Sequence, residues 1–404
     1  MGPDLIVIGA GALGLSTALH AALLGRSVVV LERQVAGSQA SGRAAGLFKS
    51  VQADELRTRL ARRSIDRAAG FAGWTGTELD VKRSGSFLIA RTAGHQELLR
   101  REQRQSAGWG ADVRQAGAAE LRAGLPYYRS AGDDLALWCP EDLYIEEPMS
   151  LIAAYLAACA RHGVEVLEHE PVTAITTAGG RVASVHTARR TIGATAVVDA
   201  AGGWTRQVAE LAGCAVAVAP VRHQLMITEP VPDLDPAAPI ARVVDAAVYL
   251  RPARGGLMVG GFEPDPLPAD PRAGAASFST DDVPLDPGVL AKLAAQVAVE
   301  APAAAGQAAE HRAGLFTMTP DGRFVVGPVP EVPGLWVASG CNGSGFSSSL
   351  ALGEALAGWI ADAPGRTDIS ALAPGRFGAV TEEALVSRGI WQYAHYYDPV
   401  PAAD

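Results

Sequence analysis

Cysteine is scarce in this chain, and so are long apolar runs and excess positive charge; each shortage removes a class of function. The four cysteines, Cys139, Cys159, Cys214 and Cys341, show no C-x-x-C or other metal-ligand spacing, so no metal centre is expected and they read as reduced thiols of a cytoplasmic protein. No apolar run approaches the ~20 residues that cross a bilayer, so no membrane span is expected. Lysine and arginine total 34 against 43 acidic residues, a net charge of −9, which gives no basic footprint for nucleic acid or an anionic surface. Small soluble ligands are the expected partners. Charged residues make up only 19% of the chain against 49% hydrophobic, so its 404 residues can bury sizeable cores, and two domains are the expected division.

Aromatic residues are also few, at 6%, which sets the stretch WQYAHYYDP apart. Trp391, Tyr393, His395, Tyr396 and Tyr397 crowd there in what reads as a tail, 366–404, packing on the body or forming a partner surface, with a lid as the second reading. No solenoid-type repeat is present. The prolines of EPDPLPADPRAGAAS, Glu263 to Ser277, mark the clearest loop. The alanine-rich run from Ala301 to Ala309 reads as helix or surface turn.

What is abundant is glycine in particular places. VIGAGALGLSTALHAALLGRSVVVLER, residues 7 to 33, holds a G-x-G-x-x-G at Gly9, Gly11 and Gly14. Leu5 to Ile8 and Val28 to Leu31 are apolar runs of the kind a doubly covered parallel strand shows, and the intervening apolar positions suit a helix that Gly25 ends. Strand, glycine turn, helix, strand is a dinucleotide-binding unit. Gly9 permits the tight turn, Gly11 lets the backbone approach a pyrophosphate, Gly14 allows close helix packing, and the helix N-terminus offers amides to negative charge. Glu32 falls where an acid accepts hydrogen bonds from a ribose 2′-OH and disfavours a 2′-phosphate. A signal peptide is excluded by Asp4, which sits where a basic segment belongs.

Two later segments return to the same theme. Ala196-Val197-Val198 is a strand running into a small-residue turn at Asp199 to Trp204, which includes Gly202. Leu335 to Ala338 is another, followed by a glycine turn at Gly340, Gly343 and Gly345 and an apolar-faced helix over Leu350 to Ile360. An NAD enzyme usually needs one nucleotide half with the glycine turn; three remote segments building one site point to FAD, whose reduced flavin is stabilised by a helix N-terminus.

The motifs GAGALG…LER, GSQASGRAAGL, VVDAAGGWT, PVRHQLMITEP, YLRPARGGLMVGGFEP, TMTPDGRFVVGP and GLWVASGCNGSGFSSSLALGEALAGWI, taken in order, resemble the FAD-dependent D-amino-acid oxidase superfamily. That group holds sarcosine and glycine oxidases and sarcosine and dimethylglycine dehydrogenases. The resemblance implies an α/β chain with a Rossmann-like FAD-binding domain (1–80, 145–215 and 324–365) and an inserted α+β substrate domain (81–144 and 216–323) built on a large antiparallel sheet. The short β-rich runs SGSFLIAR, VRHQLMITEP and GGLMVGGFE agree with it.

By the same resemblance Gly9, Gly11, Gly14, Glu32 and Arg33 hold the adenosine and pyrophosphate half. Ser41, Gly42, Arg43 and Gly46 run beside the isoalloxazine, Val172 contacts adenine through its backbone, and Gly343, Ser344, Gly345 and Phe346 reach the pyrimidine edge. Arg33 and Arg43 also read as solvated surface arginines. Gly314 and Arg43 stand where relatives carry a flavin-linked cysteine and histidine, which implies non-covalent FAD. Met258 stands where monomeric sarcosine oxidases carry the lysine that activates oxygen, and Ser347 where they carry a lysine that clamps the substrate carboxylate. O2 or another electron acceptor is therefore left open.

Arg251, with Tyr249 on the same strand face, is the candidate clamp, and an ordinary sheet arginine its alternative. His223 is a candidate for orienting the substrate or poising the amine's protonation, or else a hydrogen-bonded structural residue. Lys49 is a candidate for the missing cation, or a solvated charge. The expected activity is oxidation of a C–N bond of a small amine or N-substituted amino acid to an imine, by hydride transfer to flavin N5. A primary or cyclic amino-acid oxidoreductase, and a non-catalytic flavin subunit of an electron-transfer complex, are the alternatives. A second copy of the chain or a partner subunit remains a candidate partner.

Overall fold

The structure, a computed structural model, describes residues 2–398. The expected mixture of a Rossmann-like sheet and a second, β-rich sheet is what folds. The first sheet runs in the order Val325–Pro328, Leu335–Ser339, Val197–Asp199, Leu5–Ile8, Val28–Leu31, Glu165–Leu167. Its strands are parallel except where Val325–Pro328 meets Leu335–Ser339. The three segments expected to share a site are thus neighbours in the centre of this sheet. Helices Ala12–Leu23, Pro148–Arg161 and Gly345–Ile360 pack together in one core with Leu5, Val7, Val28 and Val30. The strands lie between that core and a second cluster that holds Ile6, Ile8, Val197 and Val337, which is why they read as unbroken apolar runs.

The second sheet has eight strands in the order Ala308–Met318, Ala219–Thr228, Gly256–Gly261, Val248–Ala253, Ile240–Val243, Ser86–Ala90, Leu135–Cys139, Arg114–Ala116. It is antiparallel apart from the Ile240–Val243 and Ser86–Ala90 pair, so the sheet is mixed. The C-terminal helix, Glu382–Ala394, lies on the strands Ala219–Thr228 and Ala308–Met318. A Cβ on Gly389 would come within 3.0 Å of the Ala219 side chain, so the helix seats this closely because it carries a glycine there.

Buried arginines join the sheets to the loop that follows the short helix Ala40–Arg43. Asp142, fully buried, accepts from Ser50 N at 2.7 Å, Ser86 Oγ at 2.6 Å and Arg242 Nη1 at 3.0 Å. Arg242 Nη2 also donates to the Phe48 carbonyl at 3.4 Å.

Two elements differ from expectation. The last large helix begins at Gly345, because the Asn342 side chain donates to the Gly340 carbonyl and accepts from Thr319 N, closing the glycine turn early and letting the helix start at once. The alanine-rich run forms a single 3-10 turn, Pro302–Ala305, and then enters the long strand at Ala308. Among the described residues no helix is long and apolar enough to cross a membrane.

Asp199, at the end of its strand, is 1% exposed; one carboxylate oxygen accepts from Ala201 N and the other has no partner. Burial therefore holds its carboxyl pKa well above the usual range. Above the unfolded value the native state keeps a proton that the unfolded chain has lost, so stability falls as pH rises toward the native pKa. Asp199→Asn should remove that slope and raise the melting temperature at pH 7 relative to pH 4, read by thermal denaturation across the pH range.

Candidate dinucleotide and substrate site

A cavity of about 520 Å³ lies between the two sheets. Its first part is a cradle. Gly9 turns the chain at φ +104°, and a Cβ there would sit 2.6 Å from the Ala200 carbonyl oxygen. Only glycine brings the first and second segments this close. A Cβ on Gly14 would fall 2.0 Å from the Gly9 carbonyl, so its absence sets the helix against the turn. Glu32, 7% exposed, accepts from Ala10 N and Gln34 N, each at 2.8 Å, and faces the cavity; burial raises its pKa, partly offset by those two amides. The lone pairs left on the carboxylate suit a ribose hydroxyl. Arg33 lies 4.5 Å over the Trp204 ring and donates to the Phe278 carbonyl while lining the same end. Val172 and Gly202 also line it. The donor set and the cut-away backbone fit the adenosine and pyrophosphate of FAD.

Of Ser41 and Gly42, only Ser41 lines the cavity. Ser41 Oγ accepts from Ala12 N at 3.0 Å, so it stands at the helix N-terminus, where a pyrophosphate would be held. Gly42 faces away from this cavity, and a Cβ on it would lie 2.5 Å from Met149 Sδ; its smallness seats helix Pro148–Arg161. Arg43 lines the cavity and pairs with Asp281 at 2.7 Å, and Gly46, at φ +74°, lies against the Ile145 carbonyl. Gly343, Ser344, Gly345 and Phe346 line it at the N-terminus of the helix Gly345–Ile360.

The far part of the cavity belongs to the second sheet and the tail. Tyr249, His223, Phe262, Phe316, Tyr396 and Tyr397 line it together with Lys49. His223 Nε2 is 2.9 Å from Tyr249 Oη and Nδ1 is 2.8 Å from Tyr393 Oη, and its ring stacks on Phe316 at 4.1 Å. Burial pushes its pKa down to about 3, so the ring is neutral, giving a proton to one tyrosine and taking one from the other. The expectation that His223 orients the substrate or poises the amine's protonation meets a ring that lines the cavity and is bonded at both nitrogens by tyrosine hydroxyls, as in its hydrogen-bonded alternative. The Lys49 ammonium is half-buried, 5.7 Å from the centroid of Tyr397, and forms no ion pair among the described residues.

Two further candidates leave the site. Arg251 is fully buried outside the cavity, and its Nε, Nη1 and Nη2 donate to the carbonyls of Ala45, Pro252 and Glu146 at 2.9, 2.7 and 3.0 Å. Its pKa falls to about 10 through burial. It secures the loop beside the cavity and presents no donor to a ligand. Met258, fully buried, packs with Leu225, Ile227 and Tyr249 beneath Ala45 and Leu47, so an apolar cluster fills the place of a cation.

Phe262, Phe316 and Arg312 were not singled out in the sequence. Phe316 and Arg312 flank Gly314 two residues to either side on one strand, and period-two alternation from Gly314 was the signal that would have found them. Phe262 carried none, since it follows a glycine pair at a strand end.

A glycine-turn cradle opening through one cavity into a pocket walled by a second sheet is the arrangement of a dinucleotide-dependent oxidoreductase. A sequence profile described as FAD dependent oxidoreductase matches residues 4–359, and the chain belongs to that family. The chain is similar to 4-methylaminobutanoate oxidase (formaldehyde-forming) of Paenarthrobacter nicotinovorans, at 30% identity over 92% of the chain and 45% of the relative. It is also similar to human mitochondrial sarcosine dehydrogenase, at 28% identity over 88% and 39%. The chain thus spans less than half the length of these curated relatives. Among solved structures, L-proline dehydrogenase from P. horikoshii has the same fold, with a TM-score of 0.83 at 21% identity over 93% of this chain and 98% of that one.

The neutral His223 makes a direct prediction. In protein labelled with ¹⁵N-histidine, two imidazoles, those of the buried His20 and His223, should keep the nitrogen shifts of a neutral ring at pH 5, and His223→Gln should remove one of the two.

Proposed function

We propose that the chain oxidises a C–N bond of a small amine that carries a carboxylate, with FAD held non-covalently. The observation that carries this reading is the single cavity: the dinucleotide cradle continues into an aromatic end whose polar atoms are few. Bound FAD supplies the acceptor for the hydride lost from the substrate carbon. Gly9, Gly11, Gly14 and Glu32 hold its adenosine and pyrophosphate half, and the amides at the start of the Gly345–Ile360 helix face its polar edge.

Lys49, half-buried and without an ion pair among the described residues, binds the substrate carboxylate, the role for which Arg251 has no donor facing the cavity. Tyr249 Oη, partnered by the neutral His223, orients the amine nitrogen. The rings of Phe262, Phe316, Tyr396 and Tyr397 exclude water, which strengthens the charge contact at Lys49. The imine then hydrolyses in water. The N-methyl amino acids named for two of the relatives belong to this substrate class.

Anaerobic mixing of the yellow protein with sarcosine, dimethylglycine, 4-methylaminobutanoate, proline and D-alanine tests the reading. Bleaching by an N-substituted amino acid supports it; a flavin that none of them reduces refutes it. The rate of recolouring in air reports whether O2 is the acceptor. Lys49→Met should lower kcat/KM for sarcosine relative to an N-methyl amine that lacks a carboxylate by about tenfold or more, the scale of one lost charge-assisted contact.

Neither Gly314 nor Arg43 has a side chain that links covalently to a flavin. Acid precipitation should leave the yellow colour in the supernatant.

A further inference from the structure

The geometry points to the C-terminal tail as the element that sets which N-substituent the site accepts, an assignment that rests on the amine-oxidation reading above. The helix Glu382–Ala394 is fixed at its start by the Thr381 side chain, which accepts from Ala384 N, and by Glu382, which pairs with Arg206 and Arg272. Gly389 seats its middle on the second sheet, and Tyr393 Oη reaches His223. The residues just beyond the helix are thereby delivered to the cavity rather than to solvent.

Tyr396 lies flat on Phe262, with ring centroids 3.9 Å apart and planes 9° apart. Tyr397 stands edge-on to Tyr396 at 5.1 Å and to Phe262 at 5.8 Å. The body of the protein adds Phe316 and Tyr249 to the lining of this end. Polar groups of the body line this end, Lys49 Nζ and Tyr249 Oη among them. With the carboxylate on Lys49 and the nitrogen beside Tyr249 Oη, the carbon on that nitrogen is the part of the substrate left to meet the rings. The body therefore reads charge and the amine, and the tail reads the size of the alkyl group. Both tail tyrosines are half-buried, so trimming either ring enlarges the cavity at the cost of the apolar contacts it makes with its neighbours.

The test uses the full-length flavoprotein and compares N-methylglycine, N-ethylglycine and N-benzylglycine, with N-methylalanine reporting branching at Cα instead. Tyr396→Ala and Tyr397→Ala should each raise the N-benzyl to N-methyl ratio of kcat/KM by about tenfold or more, while Tyr396→Phe and Tyr397→Phe keep the wild-type ratio, because ring volume and not the hydroxyl sets the size. Methylthioacetate and benzylthioacetate replace the nitrogen with sulfur; their dissociation constants, read from perturbation of the flavin spectrum, should move in the same ratio. An unchanged ratio in alanine variants that keep their flavin overturns the assignment, as does a gain for N-methylalanine alone. Should the alanine variants lose flavin, Tyr396→Trp decides: it should lower the N-ethyl to N-methyl ratio about fivefold, and no change overturns the proposal. Wild-type protein that no amine reduces sinks the functional reading, whereas the thioether affinities still judge the tail.

Discussion

The strip from Ala45 to Ser50 is pinned by buried charge, and the rest of the site depends on that. Arg251 holds the Ala45 carbonyl at one end, and the Arg242–Asp142 pair holds Phe48 and Ser50 at the other. Lys49 projects from between the last two. Removing one member of a buried pair costs about 3–5 kcal/mol, since the other charge is left without a partner in a medium that cannot solvate it. A lysine on an untethered loop would pay conformational entropy on meeting a ligand; here its backbone is already placed. Lys49, which lines the cavity, is therefore carried on a strip that buried arginines hold in place.

The same division of labour governs the histidine. His223 is closed in by Phe262, Phe316 and two tyrosines, and burial removes its ability to titrate near neutrality. What it keeps is direction. A neutral imidazole bonded at both nitrogens fixes Tyr249 Oη in place, and the tyrosine has room because a Cβ on Gly260 would overlap its ring at 2.2 Å.

The cradle was legible in the sequence because its requirements are local. Gly9 and Gly14 answer to steric limits a few residues away, and Glu32 to its place at a strand end; each is written in spacing and residue type. The second sheet was legible only as β-rich runs, since its order depends on pairings across long loops and one parallel pair that no local pattern announces. Arg251 misled for a physical reason. An arginine on a strand beside a binding loop looks the same in sequence whether its donors meet a ligand or backbone carbonyls, and Met258 and Gly42 likewise differ from lining residues only in which side of the loop they face. The aromatic tail was conspicuous but its destination was not, because the seat that brings it to the cavity is a glycine contact between Gly389 and two distant strands.

The tail also sets how the site can come apart. The cradle is complete with the strand and helix after residue 335, yet its far wall needs residues beyond 390. A change that loosens the helix Glu382–Ala394 from its glycine seat would therefore open the aromatic end and leave the glycine turns of the cradle as they are.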